Sequence, residues 1–258
     1  MLSPERVCPV FVINFSKVAI SASVAALFLS ACSSNGSNSS NGSNSPSTDT
    51  SGVLSAAAVN ERMTSADAQI LKIIGDGTAN NPGIPGTGFS RIPTAGKASY
   101  RGVSTVMISD GGNMVLDAVG ISNVNVNFGA AAGESVVTGN LRNMRALNTA
   151  GEAERVEGEL LLSGGNIGKD FDGAPVTARQ NSLFADYAGN LTAFGETYGI
   201  RGELEGKLRG TRTNTDKLSV VRAVELADTG AAVTAGQAGL TADIMVAADN
   251  DPASVAGN

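Results

Sequence analysis

Residues 200–212 read IRGELEGKLRGTR. Ile200, Gly202, Leu204, Gly206, Leu208 and Gly210 fall on one side of an extended chain, and Arg201, Glu203, Glu205, Lys207, Arg209 and Thr211 fall on the other. That is the two-residue period of a strand with one dry face and one wet face. At the usual rise the strand is about 40 Å long, too long for most flat sandwiches. Glycine inside a strand weakens it unless another backbone comes close or the strand must bend. A small closed barrel asks for both, because its strands coil sharply and its narrow interior needs small residues opposite large ones. The Gly/Leu face is therefore expected inside a packed barrel, with the charged face in water. A Gly-rich edge strand of a sandwich is the competing reading. A barrel embedded in lipid would carry the opposite polarity.

The surrounding chain repeats the pattern. Val124–Phe128 alternates, as does Arg155–Leu162, where Val156, Gly158, Leu160 and Leu162 oppose Arg155, Glu157 and Glu159. Further strands are expected at Lys97–Ile108, Met114–Val119, Glu134–Arg142, Ser182–Phe194, Lys217–Leu226 and Leu240–Ala247. Turn residues separate them: Asp110-Gly111-Gly112-Asn113, Gly129–Gly133, Gly164-Gly165-Asn166 and Asn214-Thr215-Asp216. Short strands with no helices between them indicate an all-β fold, a small soluble antiparallel β-barrel of about eight strands. The tail after Thr229 allows two roles, a closing part of the barrel or an unpaired extension.

One helical passage precedes the strands, Val53–Gly75. Thr64 with Asp67 reads as its cap, Ile70, Leu71 and Ile74 share a face, and Gly75 offers a left-handed stop. A short helix docked on the domain is expected, in preference to one displayed for a partner. Breaker-rich residues 76–96 lead from it into the body.

The N-terminus carries an address. Arg6 and Lys17 precede the apolar run Val18–Ser30, too short to span a bilayer but suited to a signal peptide. The run ends in Leu29-Ser30-Ala31-Cys32, which resembles the bacterial lipobox: cleavage after Ala31 leaves Cys32 as the new N-terminus, with lipid on its thiol. The competing reading is an ordinary secretory cut beside a chance cysteine. Residues 33–44 are SSNGSN written twice. Such a segment buries too little apolar surface to offset its ordering entropy, so a disordered leash of about 25–30 Å is expected between Cys32 and the body. Ser33, where an aspartate would signal inner-membrane retention, points to the outer membrane. The expected domains are a signal peptide over 1–31, a Ser/Asn/Gly linker over 32–55, a short helix and loop over 56–90, and a barrel over 91–258.

Composition removes several functions. The other cysteine, Cys8, lies in the segment expected to be cleaved, so no disulfide or paired-cysteine metal knuckle is available. The net charge is −6, and loss of residues 1–31 takes it to about −7. An acidic body with few aromatics is a poor match for nucleic acid. The absence of histidine deletes the commonest general base and the commonest zinc ligand. No phosphate-binding glycine loop or GxSxG elbow is present. Lys169-Asp170-Phe171-Asp172-Gly173 starts like a calcium loop but lacks the later ligands and the closing glutamate, so a solvated turn is expected. Ser–Lys and paired-carboxylate sites leave no spacing to read, and a non-enzymatic protein without cofactor or metal is expected.

Several stretches, in order, resemble the β-barrel domain of transferrin-binding protein B and its small single-barrel relatives, lipoproteins of Gram-negative outer membranes. They are the lipobox and leash, Ile92-Pro93-Thr94-Ala95-Gly96-Lys97-Ala98-Ser99-Tyr100-Arg101-Gly102, Val124–Gly129 followed by Val137–Leu141, and the glycine-spaced strand Gly202–Gly210. The resemblance covers about residues 92–226. The family's late G-x-F-x-G-P-x-A is absent, and the ligand-contacting loops of the transferrin receptors have no counterpart. The resemblance implies an eight-stranded barrel, no catalysis, and a cell-surface binding role, in some members capture of iron-carrying proteins or haem. It implies a membrane partner through the lipid anchor and a protein or small-molecule ligand at the barrel-end loops. Haem would have to use Tyr100, Tyr187, Tyr198 or a methionine as axial ligand. The alternatives are a structural envelope lipoprotein and a lipocalin-like carrier facing the periplasm. The lipocalin's early Gly-x-Trp is impossible in a chain without tryptophan.

Overall fold

The structure, a computed structural model, describes residues 54–88, 91–168, 181–210, 221–235 and 238–250. Helix α1 spans Ala56–Ile74. Its cap is Ser55, whose hydroxyl accepts from Ala58 N at 3.2 Å. Thr64 was expected there. It sits inside the helix, its hydroxyl turned back to donate to Asn60 O at 2.9 Å. The alanine-rich first turn, Ala56-Ala57-Ala58, has high helix propensity and carries the helix that far back. Val59, Ala66, Ile70 and Ile73 form the buried stripe, so Ile73 takes the place expected for Leu71. Gly75 ends the helix at φ 82°, its N–H bonding to Leu71 O.

Nine strand segments follow: β1 (Lys97–Asp110), β2 (Asn113–Asn127), β3 (Val137–Asn148), β4 (Ala153–Arg155), β5 (Glu157–Ile167), β6 (Ser182–Ala193), β7 (Glu196–Arg209), β8 (Ala223–Ala235) and β9 (Leu240–Asp249). β4 and β5 form one barrel position interrupted at Val156, whose N–H bonds to Met144 O. Each strand pairs antiparallel with the next, and β9 returns to β1 from Arg101↔Asp249 to Asp110↔Leu240. The result is a closed eight-stranded antiparallel barrel. Residues 230–235 and 240–249 of the tail after Thr229 therefore belong to the barrel.

Three expectations about the strands change. Met114–Val119 and Val124–Phe128 merge into β2, because Gly120 and Ser122 continue its inward face. Gly164-Gly165-Asn166 is a bulge within β5 and not a turn, with the β5–β6 register shifting between Ser163 and Asn166. β8 runs on to Ala235, past the expected end at Leu226, with residues 217–220 of the expected strand outside those described, and its pairing with β9 shifts between Asp228 and Ala231. Such shifts bend a strand and raise its twist, as closure of a small barrel requires.

The inward face of β7 is the Gly/Leu face. Ile200, Leu204 and Leu208 are at most 1% exposed and join Val106, Leu141 and Leu160 in a core that fills the barrel. Burial of one such side chain contributes about 1.5–3 kcal/mol. Gly206 is required by close approach: a Cβ there would stand 1.7 Å from Glu225 O on β8. The outer wall is polar over much of its extent. Asn123 donates to Asn140 at 2.9 Å and Asn140 to Glu159 at 2.8 Å, a chain across β2, β3 and β5. α1 covers the apolar sector, seating its stripe on Val103, Val119, Ala223 and Ala247. An apolar interior with a charged exterior is the reverse of a lipid-embedded barrel.

Candidate functional site

An up-and-down winding sorts its connections into two ends. Turns at Gly111-Gly112, residues 149–152 and Phe194-Gly195 share one end with the β8–β9 turn. The β2–β3, β5–β6 and β7–β8 connections share the other; most of the last two, residues 169–180 and 211–220, lies outside the described residues. The lead-in to β1 packs at this second end: Ile92 joins the core, and Phe128 N bonds to Gly96 O at 2.9 Å. Long loops on a rigid scaffold are the usual place for recognition.

The β2–β3 loop is shaped by its own polar groups. Asn127 Oδ1 accepts from Gly129 N at 3.3 Å, and Glu134 Oε2 accepts from Ala131 N at 3.2 Å. Ser135 then ties the loop to the β5 bulge, its hydroxyl accepting from Gly164 N at 3.2 Å, while Val136 N bonds to Gly164 O. The bulge in turn shapes the wall beside it. Asp186 on β6 lies directly opposite Glu203 on β7. With Gly165, Asn166, Phe184 and Ala185 they line a polar hollow of about 260 Å³. Gly164, at φ +65°, leaves room for the Asp186 carboxylate; a Cβ there would stand 2.2 Å from its Oδ2. Two adjacent carboxylates attract a basic group, yet the described residues hold no cluster of three or more metal-ligating side chains.

The barrel interior is occupied by side chains and by the three tyrosines considered as haem ligands. Tyr100 donates to Val221 O at 3.1 Å and Tyr187 donates to Asp228 Oδ2 at 2.7 Å. Burial raises the Tyr100 hydroxyl above its ordinary pKa, and burial followed by the bond to Asp228 raises that of Tyr187. Tyr198 is buried at the tight-turn end, raised by burial and then by nearby Glu196. All three residues belong to the buried core.

Ala31 and Cys32 lie outside the described residues, as do the SSNGSN repeat, Lys169–Gly173 and Asn214-Thr215-Asp216. No protein-family model matches the chain, and a search of curated proteins returns no match. The Asp186/Glu203 pair escaped sequence reading because only the β6–β7 register brings the two together. A visible trace was the run of outward acids in β7, which reads equally well as a solvated face.

Proposed function

We propose that the chain is a lipid-anchored protein of the outer membrane surface, a non-enzymatic binding module with a transferrin-binding-protein-B-like barrel that serves iron or nutrient capture. The observation that supports this most is the contrast between the two parts of the barrel. Its interior is filled by side chains, whereas one end gathers the β2–β3, β5–β6 and β7–β8 connections, the last two mostly outside the described residues. A filled interior argues against a carrier of small apolar ligands, and recognition then falls to loops and outer wall. The lipobox-like Leu29–Cys32 and the repeat behind it support the anchor.

Protease shaving of intact cells expressing the full chain, beside a Cys32→Ser variant that cannot accept lipid, tests the proposal. Loss of the body from intact cells, with the variant released from the membrane fraction, is the expected result. Protection until the outer membrane is broken would overturn the surface role and favour an envelope protein facing the periplasm.

A further inference from the structure

Arginines from three elements converge where α1 meets the outer wall. Arg145 on β3 and Arg155 on β4 are direct cross-strand partners, and such partners project from the same face of a sheet. That face is the outer one, because Leu147 and Ala153, paired two residues further on, pack under α1. Arg62 follows the buried Val59 by one helical turn, on the helix whose stripe packs with Leu147 and Ala153. Its Nη2 is buried with no hydrogen-bond partner. Burial first, and then repulsion from Arg145, holds the Arg62 guanidinium below its ordinary pKa. None of the three arginines forms an ion pair among the described residues.

This arrangement opposes folding twice over. Like charges placed opposite each other on a sheet are destabilising, and a half-buried guanidinium with an unfilled donor loses hydration without replacement. The chain has 24 acidic residues against 18 basic ones, so carboxylates to neutralise the spot were plentiful. Beside it lies a hollow of about 520 Å³, bordered by Leu54, Asn143, Ala153 and Arg155. Glu154 and Glu157 border it too. Glu154 is turned to Phe194 N, and Glu157 repels anions from the β5 side. Of the three arginines Arg155 alone lines the hollow, and Arg62 and Arg145 lie outside its lining.

We propose that Arg62, Arg145 and Arg155 form a binding site for a phosphoryl group, carried either by inorganic phosphate or by a phospholipid headgroup. The planar guanidinium fork matches two phosphate oxygens at once, and a dianion neutralises more than one arginine. Leu54 borders the hollow and is where the segment leading back to Cys32 joins the body, so a headgroup is a source to test beside the free ion. The inference stands apart from the receptor reading, since it concerns a different face and does not require lipid on Cys32.

Calorimetric titration with inorganic phosphate, and flotation with vesicles of phosphatidylcholine alone or with phosphatidylglycerol added, provide the test, both on the purified full chain carrying Cys32→Ser so that no lipid anchor can hold it to a vesicle. Saturable phosphate binding is expected, weakened about tenfold or more by Arg145→Gln, the loss that follows removal of a charge-assisted hydrogen bond. Arg201→Gln, on the outer wall of β7, is expected to leave it unchanged. Flotation only with phosphatidylglycerol vesicles, lost in Arg145→Gln, assigns the headgroup as source; phosphate binding without flotation assigns the free ion. A protein of net negative charge gains nothing from general attraction to such vesicles. Circular dichroism checks the fold of each variant, and Arg155→Gln, at an exposed position, repeats the test should Arg145→Gln misfold. Failure of both phosphate and phosphatidylglycerol to bind, or binding indifferent to these substitutions, overturns the proposal.

Discussion

The Tyr187 hydroxyl reaches from β6 past β7 to Asp228 Oδ2 on β8, at 2.7 Å. Gly202, the cross-strand partner of Tyr187, makes that possible. A Cβ there would stand 2.6 Å from the hydroxyl and 2.7 Å from the carboxylate. Tyr187→Phe leaves the half-buried Asp228 without its donor and is expected to lower stability by about 1–3 kcal/mol. Urea unfolding measures the change. Gly202→Val, which drives a branched side chain into the pair, is expected to lower it further.

The same hydroxyl makes stability fall in alkali. Tyr100 and Tyr187 have pKa values raised in the fold, by burial and, for Tyr187, also by Asp228. The unfolded chain releases those protons from about pH 10, while the folded chain holds them. Their contribution is complete below pH 10 and is lost as pH climbs from there toward the folded values. Thermal melts between pH 8 and 11.5 are expected to show a fall in Tm that is shallower in Tyr187→Phe.

Gly206→Ala tests close approach. Its Cβ would stand 1.7 Å from the Glu225 carbonyl oxygen, a backbone atom that moves only if β7 and β8 part. A loss of about 1–3 kcal/mol is expected, the range for forcing extra volume into a packed interior. Gly88→Ala, where an added Cβ meets nothing within 4 Å, is the neutral comparison.

Docking of α1 carries a carboxylate penalty. Asp117 on β2 has its pKa raised by burial and then by Asp67 on α1, which is itself raised by burial. A raised carboxylate pKa means that the ionised form is disfavoured in the fold, so the penalty is full at neutral pH. It fades as pH falls through the folded value toward about 4, where the unfolded carboxylate is protonated as well. Asp117→Asn is therefore expected to raise Tm at pH 7, with the difference from the parent shrinking at acid pH.

Ile73, 1% exposed, anchors the end of that helix. Ile73→Ala is expected to cost about 2–5 kcal/mol. Hydrogen exchange should locate the loosening in α1, with the amides of β1 and β2 still protected by their own ladder.

Much of the barrel was legible in the chain, and the reason lies in which signals are local. Alternation at Ile200–Gly210 depends only on the pleat of one strand, so it revealed strand, inward face and small interior together. The glycines between the leucines pointed to closure before any partner strand was known. Helix position was legible too. Its cap was not, because Ser55 and Thr64 offer the same hydroxyl, and the choice depends on how far the helix runs before its stripe leaves the barrel. Gly164-Gly165 reads as a turn by composition. Only pairing on both sides of it, to Ser135 and β6, makes it a bulge.

Periodicity and composition in the chain alone account for an all-β body, the polarity of its walls, the docked helix and the absence of histidine chemistry. Tertiary structure decided the rest: that β9 closes on β1, that Tyr187 meets Asp228 41 residues away, and that the helix carrying Arg62 packs with Leu147 and Ala153. Side-chain period is written residue by residue along a strand, whereas register and closure are set by the packing of the whole core. Contacts between distant residues follow from that register and leave no spacing in the chain to read.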